Sequence, residues 1–106
     1  MKNKPVSITI LGRKWRDKIN GNTYHSARVI ADGELVAVAP FQYGYGDQWQ
    51  WSAAAVFETA GKMPGREHNT NGSAETFWRW CERHGVKLVL DCADATKREC
   101  KSWGER

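Results

Sequence analysis

The alternation of apolar and polar positions predicts strands near both ends of this chain. Residues 6–12 alternate and are rich in β-branched side chains, which is typical of a half-buried strand. Residues 86–90 form a short apolar run that predicts a last strand. Between them, the basic segment 13–18 and the turn signal at 20–22 predict a loop or an irregular hairpin connection.

A β-hairpin is the best-defined predicted element. Asp32-Gly33 separates the apolar runs 23–31 and 34–41, and a type I′ turn needs the positive φ that such a pair tolerates. A two-residue turn pairs Ile30 with Leu35 and carries that register along both strands. The predicted core face contains Ala27, Val29, Val36 and Val38. The opposite face carries Tyr24, Arg28, Ile30, Leu35 and Phe41.

Apolar positions at helical spacing predict two helices. The first begins after Asp47, which forms a capping-box pattern with Gln50, and ends before Gly61. The second begins after Ser73 and ends at Gly85. The first helix is expected to face the sheet with Trp49, Ala53, Val56, Phe57 and Ala60. The apolar stripe of the second contains Phe77, Trp80, Cys81 and His84.

The order of these elements predicts one small α+β domain over residues 1–106. We expect a small antiparallel sheet, a β-β-β-α-α-β order and helices packed on one face. Residues 1–5 and 104–106 are expected to fray, and the Gly- and Asn-rich residues 62–72 to form a mobile loop. For residues 93–106 a short helix, an edge strand and a frayed tail all remain open.

Composition limits the class of protein. Apolar residues make up 41% and charged residues 26% of the chain, which is ordinary for a globular domain. No apolar run is long enough to span a bilayer, and the first residues lack the apolar stretch of a signal peptide. The odd number of cysteines, 3, favours reduced thiols. We therefore expect a cytoplasmic protein without membrane contact.

Charge is distributed unevenly along the chain. The formal net charge is +4, and basic residues crowd the first eighteen positions against a single acid, Asp17. A basic segment with an interleaved aromatic side chain can contact phosphates and stack on bases. The predicted nucleic-acid-binding residues are Arg13, Lys14, Trp15, Arg16, Lys18 and Arg28.

The chain contains 6 tryptophans, which is unusual for its length. Burying one large aromatic side chain removes roughly 150–250 Å² from water, so a core of this size cannot accommodate all of them. Exposed tryptophan near arginine is typical of protein interaction surfaces. The predicted partner-binding residues are Tyr24, Arg28, Phe41, Trp51 and Trp78.

The sequence contains no complete catalytic, metal or cofactor motif. His25 has Ser26 as its neighbour, but neighbours on a strand point to opposite faces and cannot form a relay. The Gly-rich turn at 43–46 lacks the lysine of a phosphate-binding loop and is interpreted as a tight joint. The candidate metal ligands lack the close cysteine pairs of zinc modules: Cys81, His84, Cys92 and Cys100. We predict no enzyme activity, no metal and no cofactor.

Several stretches together resemble a group of small phage and prophage proteins of unknown function. These proteins share a Tyr-His-Ser strand, an Asp-Gly-Glu hairpin turn and a Tyr-Gly-Tyr-Gly-Asp-Gln passage into a helix. The matching stretches are residues 24–26, 32–34 and 43–48, and residues 94–99 are similar to the end of some members. The resemblance implies a phage or prophage context, and with it host takeover, counter-defence or genome handling.

A second resemblance is to the double-stranded-RNA-binding domain. A hairpin, then Gly44 and Gly46, then the alanines at 53–55 follow the order of the second half of that domain. The phosphate-binding lysines of the family correspond to residues 48–50, which are glutamine, tryptophan and glutamine. The resemblance therefore implies the topology, while the electrostatic part of RNA affinity is lost.

These features together predict a small phage-encoded, non-enzymatic binding protein. It would antagonise a host complex by occlusion, in the manner of anti-CRISPR or other anti-defence proteins. Exposed aromatics would anchor the partner, and Arg28 with segment 13–18 would steer the encounter. The alternative is a basic nucleic-acid-binding protein for phage genome handling or regulation. The partly apolar second face of the hairpin is also compatible with a homodimer.

Overall fold

The computed structural model describes residues 6–60 and 76–105, and within them the chain forms four strands and three helices. The strands are β1 (Ser7–Asp17), β2 (Asn22–Ala31), β3 (Glu34–Tyr43) and β4 (Lys87–Asp94). The helices are α1 (Gln48–Thr59), α2 (Phe77–Arg83) and α3 (Lys97–Trp103). The predicted α+β class is confirmed.

The sheet has the strand order β3-β2-β1-β4 and is mixed. β1 and β3 both pair with β2 in antiparallel orientation, whereas β4 pairs with β1 in parallel. The expectation of a wholly antiparallel sheet is therefore wrong at this one pair. The physical reason is the connection: the chain passes through α1 and α2 before β4, and such a crossover returns a strand in the same direction.

β1 is longer than the sequence predicted. It continues through the basic residues 13–17, which pair with residues 22–26 of β2. Asp17 closes the following turn, because its carboxylate accepts hydrogen bonds from the main-chain N–H groups of Ile19 and Asn20. The predicted loop at 13–18 is thus wrong over most of its length, since pairing with β2 outweighs the polar side chains.

The turn between β2 and β3 is the one that the sequence predicted. Asp32 has φ 50° and Gly33 has φ 86°, as a type I′ turn requires. Ile30 pairs with Leu35, also as predicted. The Asp32 carboxylate additionally accepts a hydrogen bond of 3.0 Å from the Ser7 N–H, which ties the turn to the start of β1.

Two register shifts alter the rest of the hairpin. After the first shift, Val29 pairs with Ala37, one residue further along β3 than predicted. Ala37 and Ala39 are consequently buried, whereas Val36 and Val38 are only partly buried. The predicted core face is therefore wrong for Val38, because a bulge in a strand reverses the faces beyond it, whereas Val36 lies at the shift and packs against the core.

α1 and α2 cover one face of the sheet and bury the main core there. Phe57 of α1 lies edge to face against Phe77 and Trp80 of α2, with centroid distances of 5.8 and 6.4 Å. α1 approaches the sheet closely at Gly12, where a Cβ atom would lie 2.6 Å from the ring of Trp49. A strand glycine allows this close approach.

The helix ends agree only in part with their predicted signals. α1 follows Asp47 as expected, but the Asp47 side chain makes no capping hydrogen bond. The predicted capping box is wrong because Asp47 has φ −93° and ψ 12°, outside the extended region from which a side chain caps. Gly85, with φ 67°, follows α2 as predicted. The predicted start of α2 after Ser73 is wrong, because Thr76 precedes the helix and its side chain accepts a hydrogen bond from the Arg79 N–H. The expectations for residues 1–5, Gly61 and residues 62–72 concern parts of the chain outside the described residues.

The tail forms α3, which packs on the opposite face of the sheet. Ser26 of β2, whose neighbours Ala27 and His25 face α1, donates a hydrogen bond of 2.6 Å to the Cys100 carbonyl. The expectation that all helices share one face is therefore wrong for α3. The second face carries several partly buried aromatic side chains, and α3 shields them from water.

Candidate binding surfaces

An open groove lies between α1 and the end of β3, and we call it the Trp51 groove. Trp51 is 55% exposed and borders the groove with its ring. The ring of Tyr43, which is 57% exposed, lies edge to face against Tyr24 at 5.8 Å. The groove is lined by His25, Gln42, Tyr43, Gln48, Trp51, Ser52, Ala55 and Val56. The glutamines, His25 and Ser52 give the groove hydrogen-bonding groups beside its apolar side chains.

A second tryptophan packs against the ring of Trp51. The ring of Trp78 in α2 lies edge to face against it, with a centroid distance of 4.9 Å and an interplanar angle of 62°. Trp78 in turn contacts the buried Phe77 at 6.0 Å. The structure thus brings two of the predicted partner-binding residues together on one surface, supported by the core.

The floor of the Trp51 groove contains a histidine–serine hydrogen bond. His25 is only 1% exposed, and its Nδ1 lies 3.1 Å from the Gly44 carbonyl oxygen. Because a carbonyl only accepts, Nδ1 must carry a proton. Burial lowers the pKa of His25, which favours the neutral ring. Nε2, 2.7 Å from Ser52 Oγ, therefore accepts a hydrogen bond from the serine hydroxyl.

Chemically, a serine hydroxyl donating to a histidine is the pairing that activates a nucleophile. Ser52, however, lies inside α1, where main-chain N–H groups bond to carbonyls four residues earlier. Sequence reasoning compared His25 only with Ser26 and missed Ser52, because 27 residues separate the two and no local pattern links them.

Three aromatic rings from three strands meet beside α3. Tyr24 lies between Trp15 and Phe41, at centroid distances of 5.5 and 5.2 Å. The Lys97 ammonium lies 5.4 Å from the Trp15 ring, and that of Lys101 lies 5.6 Å from Phe41. We call this group the aromatic–lysine cluster. It corrects the expectation that Tyr24 and Phe41 lie on an open sheet face, because α3 covers them in part.

Two of the predicted binding arginines hold α3 in place. The guanidinium carbons of Arg13 and Arg28 lie 4.0 and 4.2 Å from the ring centre of Trp103. Arg28 also donates from Nε to the Trp103 carbonyl, and Trp103 Nε1 donates to the Leu11 carbonyl at 2.7 Å. These contacts fix both side chains within the fold.

The remaining basic residues are divided between surfaces. Strand alternation places Lys14 and Arg16 on the face opposite Arg13 and Trp15. The Lys14 ammonium lies 3.5 Å from the Gly46 carbonyl, at the start of α1. Arg16 and Lys18 are exposed. The predicted nucleic-acid-binding residues therefore do not form one surface, and neither do the partner-binding residues, since Trp51 and Tyr24 lie on opposite faces.

The part of the chain that the structure describes contains neither a group of metal ligands nor a helix that could span a membrane. Over residues 6–60 and 76–105, no three or more His, Cys, Asp and Glu side chains are grouped to hold a metal ion. The cysteines are free, and burial raises the pKa of Cys81 to about 11, which leaves it a protonated thiol. No helix of the described part is long and apolar enough to cross a membrane.

Comparison with known proteins finds no match: no family model, curated protein or solved structure is similar to this chain.

Proposed function

We propose that this chain is a small non-enzymatic binding protein that covers a functional surface of a host protein complex. The observation that carries the proposal is Trp51, a half-exposed tryptophan on a helix, supported by Trp78 and bordering an open groove. The resemblance to phage proteins supports a bacterial host as the setting, with an anti-CRISPR or other anti-defence role.

The Trp51 groove has the composition of a protein-binding hot spot. Tryptophan, tyrosine and arginine contribute most to binding when they enter a partner's pocket from a rigid support. The Trp51 ring loses little conformational freedom on binding, because Trp78 already limits its movement. Gln48 can satisfy polar groups of the partner at the edge of the contact.

The surroundings of Ser52 support binding rather than catalysis. Its hydroxyl is used to orient His25. The histidine–serine bond thereby links β2 to α1 and keeps the groove in shape.

The test is capture of a partner from bacterial host lysate by the tagged protein, followed by affinity measurement with Trp51→Ala. Truncating a hot-spot side chain costs about 2 kcal/mol or more, so we expect at least a roughly 30-fold weaker complex. Ile19→Ala is the matched control, because Ile19 is 93% exposed and lies on the β1–β2 turn. Equal affinities of the two variants would contradict the proposal. So would the absence of both a stable partner and phage protection against host defence systems.

Nucleic-acid binding is the second candidate, favoured by the two lysines of the aromatic–lysine cluster. Lys97 and Lys101 place ammonium groups over aromatic rings, next to the exposed Arg98. Random single- and double-stranded oligonucleotides at two salt concentrations test this candidate, since phosphate contacts make affinity fall steeply with salt. Lys97→Glu should weaken binding, and Arg79→Glu on α2 should not. Absence of binding to either kind of oligonucleotide eliminates this candidate.

A further inference from the structure

We infer that two copies of this chain pair through β4, antiparallel across a two-fold axis at Val89, so that the two sheets become continuous. This inference is independent of the proposed function. It rests on the free edge of β4, on the direction of its main-chain groups and on the order of its charges.

β4 is an edge strand whose outer main-chain groups point away from the sheet. In the strand order it neighbours β1, and no strand of the described residues lies beyond it. The N–H groups of Lys87 and Ala95 donate to carbonyls of the β1 side, at 2.9 and 2.8 Å. In a parallel pair alternate residues face the neighbour, so Leu88 and Leu90 direct their N–H and C=O groups outward. Such an edge is a template for another strand.

The outward groups restrict the register of antiparallel self-pairing. Leu88 must meet an outward residue of the second copy, and pairing it with Leu90 lets both exchange their main-chain hydrogen bonds. Val89 then lies opposite Val89 of the second copy. Lys87 lies opposite Asp91, in a position without main-chain hydrogen bonds, where side chains approach each other most closely.

This register is the one in which the charges of the strand compensate each other. An axis at Lys87 or at Asp91 would place like charges directly opposite, which is destabilising. An axis at Leu88 or at Leu90 would place one of these charged side chains opposite Val89. With the two-fold axis at Val89, the charges of the segment from Lys87 to Asp91 are thus complementary to those of the same segment in the second copy. Charges that normally protect an edge strand here select a partner of the same sequence.

The surface is accessible for such pairing. Val89 is 42% exposed, and Lys87 and Asp91 are exposed as well. Val89 pairs with Thr9 and therefore projects on the face that α3 covers over β1, β2 and β3. A second copy would place its own Val89 against this exposed side chain.

Sedimentation of the full chain over a range of concentrations, with charge variants, tests the inference. Lys87→Glu and Asp91→Lys each place like charges in both symmetric contacts, and each should weaken self-association by about ten-fold or more. The double variant exchanges the charges and should restore association. Arg79→Glu, on the exposed surface of α2, is the control and should leave it unchanged. Circular dichroism verifies that each variant is folded.

A cysteine pair provides a second readout of the register. Val89→Cys in a Cys92→Ser background places two thiols across the axis, at the spacing of a cross-strand disulfide, and should give a covalent dimer on oxidation. Ala93→Cys, exposed on the same strand, should not, because it lies opposite Gly85 in this register. A wild-type chain that stays monomeric up to about millimolar concentration overturns the inference. Self-association that is insensitive to the Lys87 and Asp91 variants also overturns it.

Discussion

At the scale of single residues, His25 links the stability of the fold to protonation. The ring donates to Gly44 and accepts from Ser52, and burial holds its pKa below the usual 6.5. Protonation would place a positive charge in a buried site close to the Lys14 ammonium. Repulsion by this ammonium also lowers the pKa of His25. The unfolded chain, in which the ring is in water, therefore binds this proton more readily.

Acidification should consequently destabilise the protein over the range in which an unfolded histidine titrates. The stabilising contribution of neutral His25 is complete above about pH 6.5 and is lost as the pH falls towards the lower pKa of the folded state. For one proton the slope is at most about 1.4 kcal/mol per pH unit. Urea unfolding between pH 7.5 and 5.5 measures it, and His25→Gln should remove it.

Two carboxylates with shifted pKa values lie outside this pH window. A side-chain hydrogen bond from Asn20 lowers the pKa of Asp17, and a main-chain hydrogen bond from Thr96 lowers that of Glu99. Their contributions are lost only as the pH falls below the unfolded values of 3.8 and 4.5. A slope that persists in His25→Gln would contradict the assignment to His25.

Residues whose role is local were predictable from the sequence, and those with distant partners were not. Asp32-Gly33 specifies its turn through the φ values that these two residues tolerate. The pairing of His25 with Ser52 depends on where α1 lies against β2, which no pattern near either residue encodes. Trp51 was predicted from composition alone, whereas its support by Trp78 required the packing of two helices.

At the scale of elements, α3 depends on its first turn. The helix has only 7 residues, and Thr96 and Glu99 form a reciprocal capping box at its start. Thr96→Ala removes the acceptor of the Glu99 N–H and should lower the free energy of unfolding by about 1 kcal/mol. Thr96→Ser keeps the hydroxyl and should retain most of the stability. Chemical denaturation at pH 7 measures both variants.

Asp47→Ala is the matched control for this prediction. Asp47 precedes a longer helix but makes no side-chain capping hydrogen bond, so its truncation should cost clearly less than that of Thr96. Equal losses would show that the hydrogen bonds of the Thr96 capping box do not account for the stability of α3.

The same pair of residues shows which element signals the sequence carries. A threonine followed three positions later by glutamate is a capping-box pattern, yet the polar tail left a helix and a strand equally open. Asp47 has an equally favourable pattern, and its backbone conformation prevents capping. The register shifts that turn Ala37 and Ala39 towards the core were not predictable. The residues before and after each shift still alternate along the strand, so the sequence pattern does not mark where the pairing changes.

At the scale of the whole molecule, the sequence predicted that β2 and β3 are neighbours but not that β4 lies beside β1. The apolar run of residues 86–90 is compatible with an antiparallel or a parallel neighbour. The crossover through α1 and α2 brings β4 beside β1 in the parallel orientation. The same crossover delivers the tail to the far side of the sheet. There, α3 covers a face that the sequence analysis had left open to solvent.

Deletion of residues 97–106 should show whether α3 is part of the folded unit. The deletion removes the buried Cys100 and the Trp103 ring that Arg13 and Arg28 contact. Burying one large apolar side chain contributes about 1.5–3 kcal/mol, so we expect a loss of roughly 3 kcal/mol and increased binding of a hydrophobic dye. Trp103→Ala retains the helix and should give a smaller loss. Urea unfolding and dye fluorescence compare the three proteins. If the shortened chain matched the full chain in both, α3 would be an appendage, and the aromatic rings of the second face would be stable without cover.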